Sequence, residues 1–175
     1  MKTSVALIGF MAAGKTAVGK LLAQRLGKQF IELDALIEQK AEKSIAEIFE
    51  RDGELAFREL EIEVTKEVSG NKNQVIACGG GVVLNRINID RLKKEAVIVY
   101  LTASPDVILK RASSDSTVRP LLKGDNKAQA IRELLRFRRP FYDRAADIKI
   151  DTTGFDIQAI VEQIIAKLKQ YENFH

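Results

Sequence analysis

Residues 4–16 read Ser4-Val5-Ala6-Leu7-Ile8-Gly9-Phe10-Met11-Ala12-Ala13-Gly14-Lys15-Thr16. A short apolar run stops at a glycine, and four residues separate that glycine from Gly14, which Lys15 and Thr16 follow. Two glycines at this spacing before Lys-Thr form a phosphate-binding pattern when a strand precedes them and a helix follows. The apolar run reads as that strand, and residues 15–26 carry the helical period. Backbone N–H groups at such a helix N-terminus can cradle phosphates. A glycine-rich turn that merely closes a strand would leave Lys15 and Thr16 without a purpose. Lys15 is expected to bridge β- and γ-phosphate oxygens, and the Thr16 hydroxyl to be an oxygen ligand of Mg²⁺. Ala12, Ala13, Gly14 and Ala17 complete the ATP-binding candidates of this segment.

The same alternation continues outward. Apolar runs at 29–33, 74–77, 96–101 and 148–151 join 4–8 as five strands, separated by helical stretches at 44–68, 104–111, 127–139 and 156–171. This is the pattern of an α/β protein: a central five-stranded parallel sheet between two layers of helices. The segments 34–71 and 113–126 exceed what a crossover needs and read as insertions.

The chain has 175 residues and is 46% hydrophobic, enough for one buried core and short of two ordinary domains. It is expected to be one domain, 1–175. Its 28 basic and 24 acidic residues are interspersed, so the net charge of +4 suits steering of small anions rather than nucleic-acid binding. No apolar run reaches eighteen residues and the first ten residues lack a signal-peptide pattern, so a soluble, cytoplasmic protein without a membrane partner is expected. One cysteine, Cys78, and one histidine, His175, leave no disulfide, zinc site or Ser-His-Asp triad to build.

Further charged groups fall where a site would form. Glu32 and Asp34 are spaced by two at the end of the second strand, which places both on one face, at the carboxyl edge where open α/β sheets bind ligands. Asp34 could hold and deprotonate an acceptor hydroxyl, or cap the following helix. Glu32 could reach a metal through water. Arg58 and Glu61 are helical neighbours, either a surface ion pair or a partly buried arginine for a carboxylate. Cys78-Gly79-Gly80-Gly81 reads as a tight turn or as backbone that a ligand approaches closely; Cys78 itself reads as a small buried residue. Ser113 to Gly124 reads as a lid or a plain surface loop, with Arg119 placed to neutralise a transferring phosphoryl group. Residues 136–142 put several cations on a helix.

The phosphate loop, the Phe30-Ile31-Glu32-Leu33-Asp34 strand end, Phe57-Arg58, the triple glycine, Arg119-Pro120-Leu121-Leu122 and Arg138-Arg139-Pro140-Phe141-Tyr142 together resemble shikimate kinase, in order from Gly9 to Tyr142. The resemblance implies a nucleoside-monophosphate-kinase-like fold with a core (1–33, 70–112, 125–175), a substrate-binding insertion (34–69) and a lid (113–124). It implies transfer of the ATP γ-phosphate to the shikimate 3-hydroxyl, a step toward chorismate and the aromatic amino acids, by a monomer. Position by position, it makes Asp34 the holder of the hydroxyl and Arg58 and Arg138 the clamp on the carboxylate. Gly80 and Gly81 become substrate-facing backbone, Lys15 and Arg119 phosphate-stabilising cations, and Thr16 the magnesium ligand. Arg111 becomes an adenine-stacking residue, joined more loosely by Asp151-Thr152-Thr153. Glu32 departs from the family's usual aspartate. A gluconate kinase of the same architecture, or a ligand-sensing module that binds without turnover, are the competing readings.

Overall fold

The structure is a computed structural model that describes residues 1–114, 126–172 and 174–175. Five strands, β1 (Ser4–Ile8), β2 (Gln29–Glu32), β3 (Gln74–Ala77), β4 (Ala96–Thr102) and β5 (Ile148–Asp151), form one sheet in the order β2-β3-β1-β4-β5. Every pairing is parallel. Three of the five strands begin and end at the residues expected from sequence. The helices among the described residues are α1 (Lys15–Leu26), α2 (Leu33–Ala41), α3 (Ile45–Arg51), α4 (Gly53–Ser69), α5 (Arg86–Leu92), α6 (Pro105–Ser114), α7 (Lys127–Ala145) and α8 (Ile157–Lys169).

Side chains of period two sort the core into halves. Ala6, Ile8, Ala96, Ile98 and Tyr100 face the half built with Ile37, Phe57, Val64, Ile108 and Tyr142 from α2, α4, α6 and α7. Val5, Leu7, Val97, Val99 and Leu101 face the other half, built with Val18 and Leu22 of α1 and Val161 and Ile164 of α8. The result is the expected three layers. β5, at the sheet edge, alternates: Ile148 and Ile150 are buried, Lys149 and Asp151 exposed.

The helices differ from expectation in four places. The single helix expected over 44–68 is two helices, α3 and α4, because Gly53 at φ 86 turns the chain between them. Its start is as the sequence writes it, a capping box in which Ser44 and Glu47 satisfy each other's backbone N–H. The helix expected to stop before Pro140 continues to Ala145. A proline there removes one helical hydrogen bond, and burial of Arg138 and Tyr142, on one face four residues apart, holds the helix through it. α5 and a 3₁₀ turn at Val82–Leu84 are elements that the sequence reading left as connection. Finally, Ser113 and Ser114, expected to open the lid, end helix α6; residues 115–125, with Arg119, lie outside the described residues.

Candidate active site

The carboxyl ends of β1, β2 and β3 open onto a cleft of about 370 Å³ whose walls include Lys15, Thr16, Glu32, Asp34, Gly79 and Gly80. The phosphate loop gets its shape from backbone in the left-handed region at Ala12 (φ 59) and Gly14 (φ 91). Gly14 serves as N-cap of α1 without a side chain, which leaves the first N–H groups of that helix open to an anion. The Lys15 ammonium folds over the loop and donates to the Gly9 carbonyl at 2.7 Å and the Phe10 carbonyl at 2.9 Å. The Thr16 hydroxyl donates to Glu32 Oε1 at 2.8 Å, joining the start of α1 to the end of β2.

Asp34 does not cap α2. That position belongs to Glu32, with no side-chain cap, and Asp34 sits in the first turn, where the helix dipole favours a negative charge. The two acids therefore do not share a strand, yet both line the cleft. Asp34 Oδ1 is buried without a hydrogen-bond partner among the described residues. Burial pushes its pKa above the ordinary carboxylate range, nearby Lys15 draws it down, and Glu32 adds to the rise.

Arg58 is no surface ion pair. It lies over the Phe57 ring, its Nη1 donating to Glu61 Oε1 at 3.0 Å and its Nη2 to Glu54 Oε1 at 3.3 Å; Glu61 is 1% exposed. Arg138 is 2% exposed. The Nε of Arg58 and the Nε of Arg138 are both buried and without a partner among the described residues.

Each glycine of the triple run answers to one of these charges. A Cβ on Gly79 would lie 2.8 Å from Asp34 Oδ1, one on Gly80 3.2 Å from Arg138 Nη1, and one on Gly81 2.6 Å from the Arg58 guanidinium carbon. The run is both a turn, with Val82 N–H bonded to Gly79 O at 3.1 Å, and a surface of close approach. Gly79 and Gly80 line the cleft, while Gly81 backs Arg58. Cys78, 3% exposed and pushed up in pKa by burial, is a small core residue as expected.

Arg111 reaches over the phosphate loop, donating to Ala12 O at 3.5 Å and to Thr152 Oγ1 at 3.3 Å. It shares a second cavity with Gly14, Ala17, Phe155 and Ile157. Arg119 alone of the candidate residues is outside the described residues.

Sequence reasoning undervalued three participants. The sequence offers Glu61 as the helix neighbour that orients Arg58, but not its burial or its approach to Gly79; it places Gly80 and Gly81 but not Gly79 among the site residues, and it assigns Tyr142 no part. The Tyr142 hydroxyl donates to the Gly80 carbonyl, and its ring stacks on Tyr100 with centroids 4.9 Å apart. Phe155 and Ile157 carried no signal beyond apolar character.

The shikimate kinase family model matches residues 11–169. A shikimate kinase of Thermodesulfovibrio yellowstonii is 45% identical over 170 residues, 97% of either chain. That of Caldanaerobacter subterraneus subsp. tengcongensis is 48% identical, over 93% of this chain and 94% of its own. The chain belongs to the shikimate kinase family. The solved shikimate kinase from Acinetobacter baumannii in complex with shikimate superposes with a TM-score of 0.93 at 35% identity, over 99% of this chain and 96% of its own. A gluconokinase from Sinorhizobium meliloti, at a TM-score of 0.60 and 17% identity, shares the fold alone. As a shikimate kinase the chain is a transferase with ATP as co-substrate, which accounts for a phosphate loop and a cleft of opposed charges on one sheet edge.

Proposed function

We propose that the chain transfers the γ-phosphoryl group of ATP to the 3-hydroxyl of shikimate, with the cleft residues in the parts that their geometry suits. The carrying observation is the set of buried polar atoms left without partners among the described residues in one region: Asp34 Oδ1, Arg58 Nε and Arg138 Nε. Buried polar groups are normally bonded, and an anionic hydroxylated ligand complements one carboxylate and two guanidinium groups. Arg58 and Arg138 hold the shikimate carboxylate, a geometry at which planar guanidinium groups excel. Asp34 accepts the hydrogen bond of the reacting hydroxyl and takes its proton as the oxygen attacks the γ-phosphorus; the bond to the β–γ bridging oxygen breaks and ADP leaves. Gly79 and Gly80 offer backbone to the substrate, and Gly81 sets Arg58. Lys15 exchanges its loop carbonyls for phosphate oxygens, and Arg119 of the lid adds positive charge. Arg111 covers the adenine over the cavity toward Phe155.

Thr16 and Glu32 would hold Mg²⁺, Thr16 directly and Glu32 through water. Their paired oxygens suit a hard cation, and Mg²⁺ keeps water and phosphate in the rest of its shell. Bound Mg²⁺ supplies neutralisation of phosphate charge. In this reading residues 34–69 are the substrate-binding insertion of a single-domain monomer acting in the cytoplasm, and the lid is the part of 113–124 that follows helix α6. Among the described residues no helix is long and apolar enough to cross a membrane.

The test is ADP release from Mg-ATP with no acceptor, with shikimate and with gluconate. Release dependent on shikimate alone is the expected result. Release with gluconate would redirect the acceptor, and tight ATP binding without release would indicate a sensing module.

A further inference from the structure

Glu61 belongs to α4, one turn past Arg58, and is buried between elements that all bring charge to it. Arg58 comes from its own helix, Asp34 from α2 and Arg138 from α7; the buried Cys78 thiol, after β3, stays protonated. One carboxyl oxygen, Oε1, accepts from Arg58 at 3.0 Å. The other, Oε2, is buried and has no hydrogen-bond partner among the described residues. It lies 3.2 Å from the position a Gly79 Cβ would take, and Asp34 Oδ1 lies 2.8 Å from that same point. Two unpartnered acid oxygens thus converge on a residue whose missing side chain makes room for them.

Among Glu61 and the charged groups that face it, two arginines, Arg58 and Arg138, balance two acids, Glu61 and Asp34, before substrate arrives. A substrate carboxylate held by Arg58 and Arg138 adds a third negative charge and competes with Glu61 for the same guanidinium groups. The site is too buried for water to screen the surplus. The charge can be relieved at Glu61, which has an oxygen in hand to carry a proton and no alternative cation among the groups that face it. Asp34 has Lys15 as well.

We propose that Glu61 takes up a proton when shikimate binds, so that binding of the substrate carboxylate and protonation of Glu61 are one linked event. The proposal rests on the carboxylate clamp assigned above to Arg58 and Arg138. Glu61 does not touch the reacting atoms; it is a positioning residue that keeps Arg58 in place while the site is empty and releases it by neutralising itself when the substrate needs it. Burial already moves Glu61 upward in pKa against the pull of Arg58, so the arriving anion needs only to complete the rise.

The experiment is calorimetric titration of shikimate into the nucleotide-free protein at neutral pH, in phosphate and in Tris, whose ionisation heats differ widely. Proton uptake appears as a binding heat that depends on the buffer. The expected result is a clear dependence in the wild type and its loss in Glu61→Gln, which keeps an acceptor for Arg58 but cannot take a proton. A wild-type heat independent of buffer, or a dependence that survives in Glu61→Gln, overturns the proposal. The wild type alone provides a second reading, because proton uptake requires the shikimate Kd to rise with pH, by up to about tenfold per pH unit where uptake is complete; a flat profile is fatal. Absence of any binding to a protein that also fails to release ADP with shikimate would remove the carboxylate clamp itself, and this inference with it, whereas binding and turnover without proton uptake removes this inference only.

Discussion

Asp34 illustrates how one residue acquires a function from its surroundings. Its position in the first turn of α2 supplies a favourable dipole, its buried Oδ1 has no partner among the described residues, and Lys15 keeps it in reach of ionisation. In the proposed mechanism Asp34→Asn keeps the shape and loses the base, so turnover with shikimate should fall by about 10² to 10⁴ while ATP affinity is retained. Steady-state kinetics alongside equilibrium nucleotide binding checks both halves. Gly79 makes the complementary point. Gly79→Ala drives a methyl group against Asp34 Oδ1 and Glu61 Oε2, and should cost about 1 to 3 kcal/mol of stability by overpacking together with most of the shikimate turnover. Gly70→Ala is the control: nothing lies within 4 Å of its Cβ position and its φ is −83, so its melting curve should match or exceed the wild type. The motif glycine and the surface glycine are the same letter, and only their neighbours separate them.

Among elements, α7 braces the glycine run at the cleft wall. By running through Pro140 it places Arg138 and Tyr142 on one buried face, and the Tyr142 hydroxyl fixes the Gly80 carbonyl while the ring rests on Tyr100 of β4. Tyr142→Phe keeps the stack and removes the donor, leaving a buried carbonyl short of its partner at a cost of about 1 to 3 kcal/mol. The glycine run should then lose definition, and the KM for shikimate should rise while that for ATP, served by the phosphate loop, stays constant. Equal changes in both would show that the bond supports the fold generally rather than the substrate side. α4 owes its independence from α3 to Asp52-Gly53, a turn dipeptide whose left-handed backbone at Gly53 breaks what the hydrophobic period alone extends as one helix.

Among its described residues the molecule carries two buried acids, Asp34 and Glu61, whose folded pKa values are pushed above the ordinary range by burial. An acid raised in this way binds more protons folded than unfolded, so stability falls as pH rises from the ordinary carboxylate range up to the raised value, and levels off above it. Thermal melts of the ligand-free protein across that interval should show this fall, and Glu61→Gln, which cannot ionise, should show a shallower one; parallel curves would mean that Glu61 titrates normally. Much of the architecture was legible in the chain itself. Runs of Val, Ile, Leu and Ala bounded by glycine and by caps fixed the five strands and the main helices, because local periodicity and covalent stereochemistry act over a few residues. The order of glycines, Lys15, Thr16, Asp34, Arg58 and Arg138 marked the family, because phosphate and carboxylate recognition demands those groups. Beyond the Arg58–Glu61 helix pair, the sequence was silent on which charges meet. That Glu61 and Asp34 converge on Gly79, that Tyr142 holds Gly80, and that a helix survives Pro140 depend on contacts between residues far apart along the chain, and only packing of the helices against the sheet brings those groups together.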